Sequence, residues 1–214
     1  KYGTAEGEYN LNESPEYSDA GEYTVYYQVG AEGYETSTGS ATIKISQADQ
    51  RDVQVEMSGY TYGGTVSEPR IVGAAENPQE VKFYYNTENS NKGGTEWKDI
   101  GAESLQAGLY YMYAEYGATT NYKSGTTAPK EFCVKGKIEV TAEDVNVQYD
   151  GEKHGIKVNT EPTEGVTVKY GTAEGEYNLN ESPEYSNAGE YTVYYQVTAE
   201  NYNTVNGAAT VKIE

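Results

Sequence analysis

Apolar and polar residues alternate along most of this chain. In Tyr191-Thr192-Val193-Tyr194-Tyr195-Gln196-Val197, residues Tyr191, Val193, Tyr195 and Val197 share one face, and Thr192, Tyr194 and Gln196 the other. Alternation of this kind in a run of Tyr, Val and Thr predicts a half-buried strand. Tyr110, Met112, Ala114 and Tyr116 keep the same phase. Val145, Val147 and Tyr149 alternate and then meet Asp150-Gly151, a hairpin-turn signal, before Ile156 and Val158. Val166, Val168 and Tyr170 make the next run. Ala209, Val211 and Ile213 make the last, as Ile43 with Ile45 and Phe132 with Val134 close two earlier stretches. No window sustains a 3.6-residue period over a helix length, so the expected class is all-β.

An internal repeat organises these strands. Residues 1–46 align without a gap to residues 169–214, a shift of 168, and 37 of the 46 positions are identical. Ala20-Gly21-Glu22-Tyr23 recurs as Ala188-Gly189-Glu190-Tyr191, with a divergent form, Ala107-Gly108-Leu109-Tyr110, between them. Asp52-Val53-Gln54-Val55 and Asp144-Val145-Asn146-Val147 supply a second marker. The chain therefore reads as the C-terminal half of a module (1–46), a variant module (47–136) and a complete module (137–214). The half module has no counterpart of residues 137–168 and is expected to lean on module two or on a neighbouring molecule, because half a module leaves strand edges and a core face open.

About six or seven short strands per module point to small antiparallel β-sandwiches of immunoglobulin-like architecture, with a β-grasp-like topology as the rival. The Ala-Gly-x-Tyr string fits a tyrosine corner, in which the hydroxyl bonds back to the preceding loop. Tyr23, Tyr110 and Tyr191 would hold that role, with Val25, Met112 and Val193 entering the core.

The composition is unusual for a folded chain. Leu, Ile, Val and Phe number 31 of 214 and the net charge is -19, a pairing that ordinarily marks disorder. Twenty-four tyrosines compensate, since a buried Tyr removes a large area from water and keeps a hydroxyl for the rim. The negative charge repels phosphate backbones and anionic lipid, which argues against nucleic-acid and membrane-surface partners. No apolar run approaches the roughly 18 residues of a spanning helix.

Several strings add a resemblance: Tyr149-Asp150-Gly151-Glu152-Lys153-His154-Gly155-Ile156, Val168-Lys169-Tyr170-Gly171-Thr172, Asn187 to Tyr195, and Asn201-Tyr202. They resemble tandem repeats of large surface proteins from gut Firmicutes. The middle module, with Tyr60-Thr61-Tyr62-Gly63-Gly64, Trp97, Ala107-Gly108 and Asn121-Tyr122, resembles the related MBG repeat of YGX type. This likeness implies a secreted or wall-anchored, multi-repeat bacterial adhesin or stalk and gives no catalytic residues to carry over; no cofactor is expected.

Candidate chemistry is sparse. His154, the one imidazole, would need a nucleophile and an orienting partner to act as a general base; neither copy of the shared segment supplies a nucleophile-with-base constellation, and it is expected to be structural or exposed. Cys133 stands between Phe132 and Val134, so alternation turns its thiol away from the core face; the single cysteine excludes an internal disulfide. Asp49 with Asp52, and Glu143 with Asp144, fall at the module junctions but fit no calcium loop, and are expected to be solvated charges. Lys44 and Lys212, on final strands, are candidates for an isopeptide staple. For a sugar-stacking site the candidates are Trp97, Tyr84, Tyr85 and Tyr113. Three readings follow: a non-catalytic stalk, spacer or adhesive module; a carbohydrate- or mucin-binding module contacting an extracellular ligand such as a host glycan through Trp97; or accessory repeats of a larger secreted enzyme.

Overall fold

A computed structural model describes residues 1–214 and contains seventeen strands and no helix. Residues 1–46 form one three-stranded sheet from β1 (Tyr2–Gly3), β2 (Gly21–Val29) and β3 (Ser37–Ile45), in that order. Residues 47–136 contribute β4 (Gln54–Glu56), β5 (Tyr60–Thr61), β6 (Arg70–Val72), β7 (Lys82–Asn86), β8 (Thr95–Glu96), β9 (Gly108–Tyr116), β10 (Gly125–Thr126) and β11 (Lys130–Lys135). Residues 137–214 contribute β12 (Glu139–Ala142), β13 (Val145–Val147), β14 (Val158–Glu161), β15 (Val166–Gly171), β16 (Gly189–Ala199) and β17 (Val205–Ile213). No strand ladder crosses from one of these segments to another.

The two complete units share one topology. In the last, β13-β17-β16-β15 form one sheet and β12-β14 the other; in the middle, β5-β11-β9-β7-β8 face β4-β6. The first strand segment pairs in one sheet, and its continuation crosses to pair in parallel with the final strand of the opposite sheet: β13 with β17, β5 with β11. All other pairs are antiparallel. This sheet-switching first strand, with the last three strands side by side, is the immunoglobulin-like arrangement. With no helix to cover a single sheet, the β-grasp rival does not describe the molecule.

The strand phases match the hydrophobic pattern. Met112, Ala114, Phe132 and Val134 are buried with Val55, Met57, Tyr60 and Leu105 in the middle core. Val193, Tyr195, Val197, Ala209, Val211 and Ile213 join Ile138 and Ile156 in the last. The core centres are thus mostly aliphatic, and the half-buried tyrosines form walls around them. Tyr195 lies across β17 opposite Gly207, where a Cβ would come within 2.3 Å of the hydroxyl. Tyr116 and Tyr27 cover Gly125 and Gly39 in the same way. The absent side chain is what lets each ring lie flat on its neighbour strand.

Two expectations are corrected. Asp150-Gly151 does not close a hairpin, because β13 and β14 belong to opposite sheets; the turn carries the chain between layers. Gly151 has φ +79°, the left-handed value this bend needs. The switch itself is fixed upstream, where the Thr210 amide donates to Asp144 Oδ1 at 2.7 Å. The Asp-Val-x-Val marker is also not a structural equivalence: Val55 pairs in β4 with β6, whereas Val145 and Val147 pair in β13 with β17. Simple alternation suits either edge.

Candidate functional site

The tyrosines that open the long strands bond backwards as tyrosine corners do. Tyr23, Tyr110 and Tyr191 donate to the carbonyls of Asp19 (3.0 Å), Gln106 (3.0 Å) and Asn187 (3.3 Å), each four residues upstream. Tyr23 and Tyr191 also stack on Tyr17 and Tyr185 at 3.9 Å.

The four candidate sugar contacts divide between two faces of the middle sheet. Trp97 and Tyr85 pack on the core, edge to face at 6.0 Å, and Trp97 meets Phe132 likewise at 5.9 Å. Tyr84 and Tyr113 stack with each other at 5.3 Å on the outer face, where Tyr113 is 2% exposed and its hydroxyl accepts the Gly94 amide at 3.1 Å. No single platform gathers all four rings.

The remaining single residues have local roles. His154 Nε2 lies 3.0 Å from Asp150 Oδ1, and the His154 ring holds that carboxyl below the usual carboxylate range. The backbone of His154 exchanges two hydrogen bonds of 2.9 Å with Tyr185, so this residue ties the inter-sheet turn to the loop before β16. Asp49 pairs with Lys123 at 2.9 Å; Glu143 is exposed, and Asp52 occupies a left-handed turn position at φ 62°. Lys44 lies 3.7 Å from Glu22, and Lys212 is paired with Glu214. No group of three or more His, Cys, Asp or Glu side chains lies together as a metal site.

What the structure brings together most consistently is the pair of junctions. At the first, the Ala48 amide donates to Asn121 O (2.8 Å) and Ala48 O accepts from Lys123 N (2.9 Å). At the second, Gly136 N donates to Asn201 O (2.7 Å) and Gly136 O accepts from Asn203 N (3.1 Å). Ala48, just past β3, and Gly136, just past β11, thus each add in parallel to an Asn-Tyr-x segment of the module that follows that strand. A Cβ on Gly136 would come 2.2 Å from the Tyr202 ring, which is why the second linker approaches so closely.

Side chains reinforce both joints. The Asn121 carboxamide accepts from Ala20 N (2.7 Å) and donates to Asp19 Oδ1 (3.1 Å) and Glu76 Oε1 (2.7 Å). Bonds from Thr119 and Asn121 hold the Glu76 carboxyl below its ordinary value. Gln47 Nε2 donates to Thr119 O at 2.7 Å. At the second joint Asn203 Nδ2 donates to Thr61 Oγ1 (3.1 Å), and the Cys133 thiol, turned from the core, donates to Asn201 Oδ1 at 3.5 Å. A shallow cleft of about 590 Å³, lined by Tyr62, Glu103, Lys137, Glu161 and Tyr202 among others, lies at this second joint. Glu76 and Gln47 have no signal in the sequence, and Asn121 stands out there only as part of the Asn-Tyr string that recurs near the end of two modules, with nothing to show its role in the joint.

No family model matches the chain, and no curated protein matches it in sequence. Among solved structures it is similar to the insect immune protein hemolin (TM-score 0.39, 12% identity, 90% of this chain and 56% of that one). It is also similar to Drosophila N-cadherin EC1-4 (0.27, 9%, 90% and 58%) and to Sidekick-1 immunoglobulin domains 1-4 (0.25, 14%, 91% and 58%). The chain spans less than three fifths of each of these structures. At such TM-scores they carry no functional argument, and the fold assignment rests on strand order. No helix is long and apolar enough to cross a membrane.

Proposed function

We propose that this chain is a non-catalytic repeat region of an extracellular, bacterial cell-surface protein, and that its work is mechanical: it spaces and orients what it is joined to. The observation that carries this reading is the twice-used junction, in which the residue just past the closing strand, Ala48 after β3 and Gly136 after β11, is hydrogen-bonded into the module that follows that strand. A free linker would leave its amides to water and let modules swivel. Here each joint has two backbone bonds plus carboxamide contacts, each worth about 0.5–1.5 kcal/mol net, enough together to favour one orientation over a freely jointed one. The acidic surface, at net charge -19, keeps such a repeat soluble and opposes self-association. The resemblance to repeats of gut Firmicutes surface proteins supports wall attachment through other parts of a longer polypeptide.

The glycan- or mucin-binding reading through Trp97 draws no support from the ring's surroundings, since Tyr85 and Phe132 occupy its neighbourhood. Small-angle scattering of the chain and of Asn121→Ala tests the spacer reading. The expected result is a single narrow distance distribution for the parent and a broadened, more flexible profile for the variant. A parent already flexible, or a variant with an unchanged profile, would refute it. Specific mucin binding lost on Trp97→Ala would replace it with the glycan reading.

A further inference from the structure

Module one carries the same sheet as module three without its cover. The registers are identical: Gly21 opposite Ile45 through Val29 opposite Ser37 repeats as Gly189 opposite Ile213 through Val197 opposite Val205. In module three this face is closed by residues 137–168, which add Ile138, Val140, Val145, Val147, Ile156 and Val158. In module one Val25 is still buried at 5% exposure, and the matching positions open toward the end of β2. Val29 is 61% exposed against 0% for Val197, and Tyr27 is 37% exposed against 8% for Tyr195. Contacts to module two through Asp19, Ala20 and Asn121 hold the sheet at its end and leave this face uncovered.

Two further features repeat without their partners. In module three Tyr202 lies over Gly136 of the incoming linker, with Tyr202 N bonded to Ala199 O at 3.3 Å. Module one forms the same turn, Tyr34 N to Ala31 O at 3.1 Å, with Gly33 at φ 81° where Asn201 has 59°, yet Tyr34 is 80% exposed. The backbone of Tyr185 bonds His154 and the Ser182 hydroxyl accepts from Ile156 N at 3.0 Å. Their counterparts, the Tyr17 backbone and Ser14 hydroxyl, have no such partner; Ser14 reaches only Pro15 O at 3.4 Å.

We infer that the open face of β1–β3 is an acceptor for one extended segment of the kind formed by residues 136–168, which completes module one by strand complementation. The occupant is defined by continuity with the interface seen one repeat along. It has a small residue to lie under Tyr34, an apolar-alternating strand pair over Tyr27 and Val29, a carboxylate for the Thr42 amide as Asp144 serves Thr210, and a parallel edge strand for β3. Main-chain pairing supplies the adhesion and alternate side chains the register, as in other strand-addition complexes.

The test titrates a fluorescent peptide of residues 136–168 into the full chain and maps hydrogen exchange. The expected result is saturable binding with new protection in Ser37–Ile45, weakened about tenfold or more by Val29→Asp, which would bury an unpaired charge. Tyr34→Ala should weaken it as well. If the peptide proves insoluble, the same segment joined directly before Lys1 decides: protection of β3 should rise toward that of β17. Absence of binding by a soluble peptide, affinity unchanged by Val29→Asp, protection confined to β17, or an unprotected β3 in the joined chain would overturn the inference. Dimerisation of the chain abolished by Val29→Asp would overturn it too, by assigning the face to a second copy.

Discussion

Val29 and Val197 occupy one position of two nearly identical sheets, which makes a pair of substitutions an internally controlled measurement of tertiary cover. Val→Ala removes the equivalent of two methylene groups, about 1.6 kcal/mol of transfer free energy when fully buried. At Val197, 0% exposed within the last core, incomplete collapse of the void adds roughly 0.5–1 kcal/mol, for a total of about 2–2.5. At Val29, 61% exposed, about two fifths of the transfer value applies and there is no cavity to leave, giving roughly 0.6 kcal/mol. Gly21–Val29 and Gly189–Val197 are identical in sequence, so proteolytic fragments of these strands cannot be told apart. Hydrogen exchange must therefore be read in the partner strands, Ser37–Ile45 and Val205–Ile213, which differ. The opening free energy of β17 should fall by the larger amount in Val197→Ala, and that of β3 by the smaller in Val29→Ala. Equal losses in the two strands would mean that Val29 is covered in solution and would contradict an open face on β2.

Three further outcomes are expected. Tyr110→Phe removes the bond to Gln106 O and should destabilise the middle module by about 0.5–1.5 kcal/mol, measured by urea unfolding followed through Trp97, the only tryptophan. Gly207→Ala forces the enclosed Tyr195 ring to move and should cost about 1–3 kcal/mol in β17 exchange, whereas Gly39→Ala, opposite the more exposed Tyr27, should cost clearly less. Glu76 is held below the ordinary carboxylate value of 4.5, so its contribution to the first junction is fully present above that pH and is lost as pH falls through its lowered folded value. The Asn121 carboxamide resonances should be constant from neutral pH to about 5 and move only below about 4.5, a step clearly reduced in Glu76→Gln, which leaves the carboxamide Asp19 as its only carboxylate contact.

The alternation of Tyr191, Val193, Tyr195 and Val197 was enough to predict the strand, its buried face and its kinship with Tyr110, Met112, Ala114 and Tyr116, because side-chain direction in a strand follows a two-residue period wherever the strand lies. The backward bonds of Tyr23, Tyr110 and Tyr191 were legible for a related reason: donor and acceptor are four residues apart, so local spacing specifies them. The sheet switch at Asp144 was not, since its acceptor serves an amide 66 residues away. Nor were the junctions: Asn121 meets Ala20 across 101 residues and Glu76 across 45, and nothing beside Asn121 in the chain marks it as their common partner. Identical strings settle the matter most directly. Gly21–Val29 and Gly189–Val197 have the same residues, strand class and register, so sequence alone determined those. Whether their apolar face is core or open surface was decided only by whether a second sheet lies over it, because burial depends on which distant residues exclude water and not on the strand that is covered.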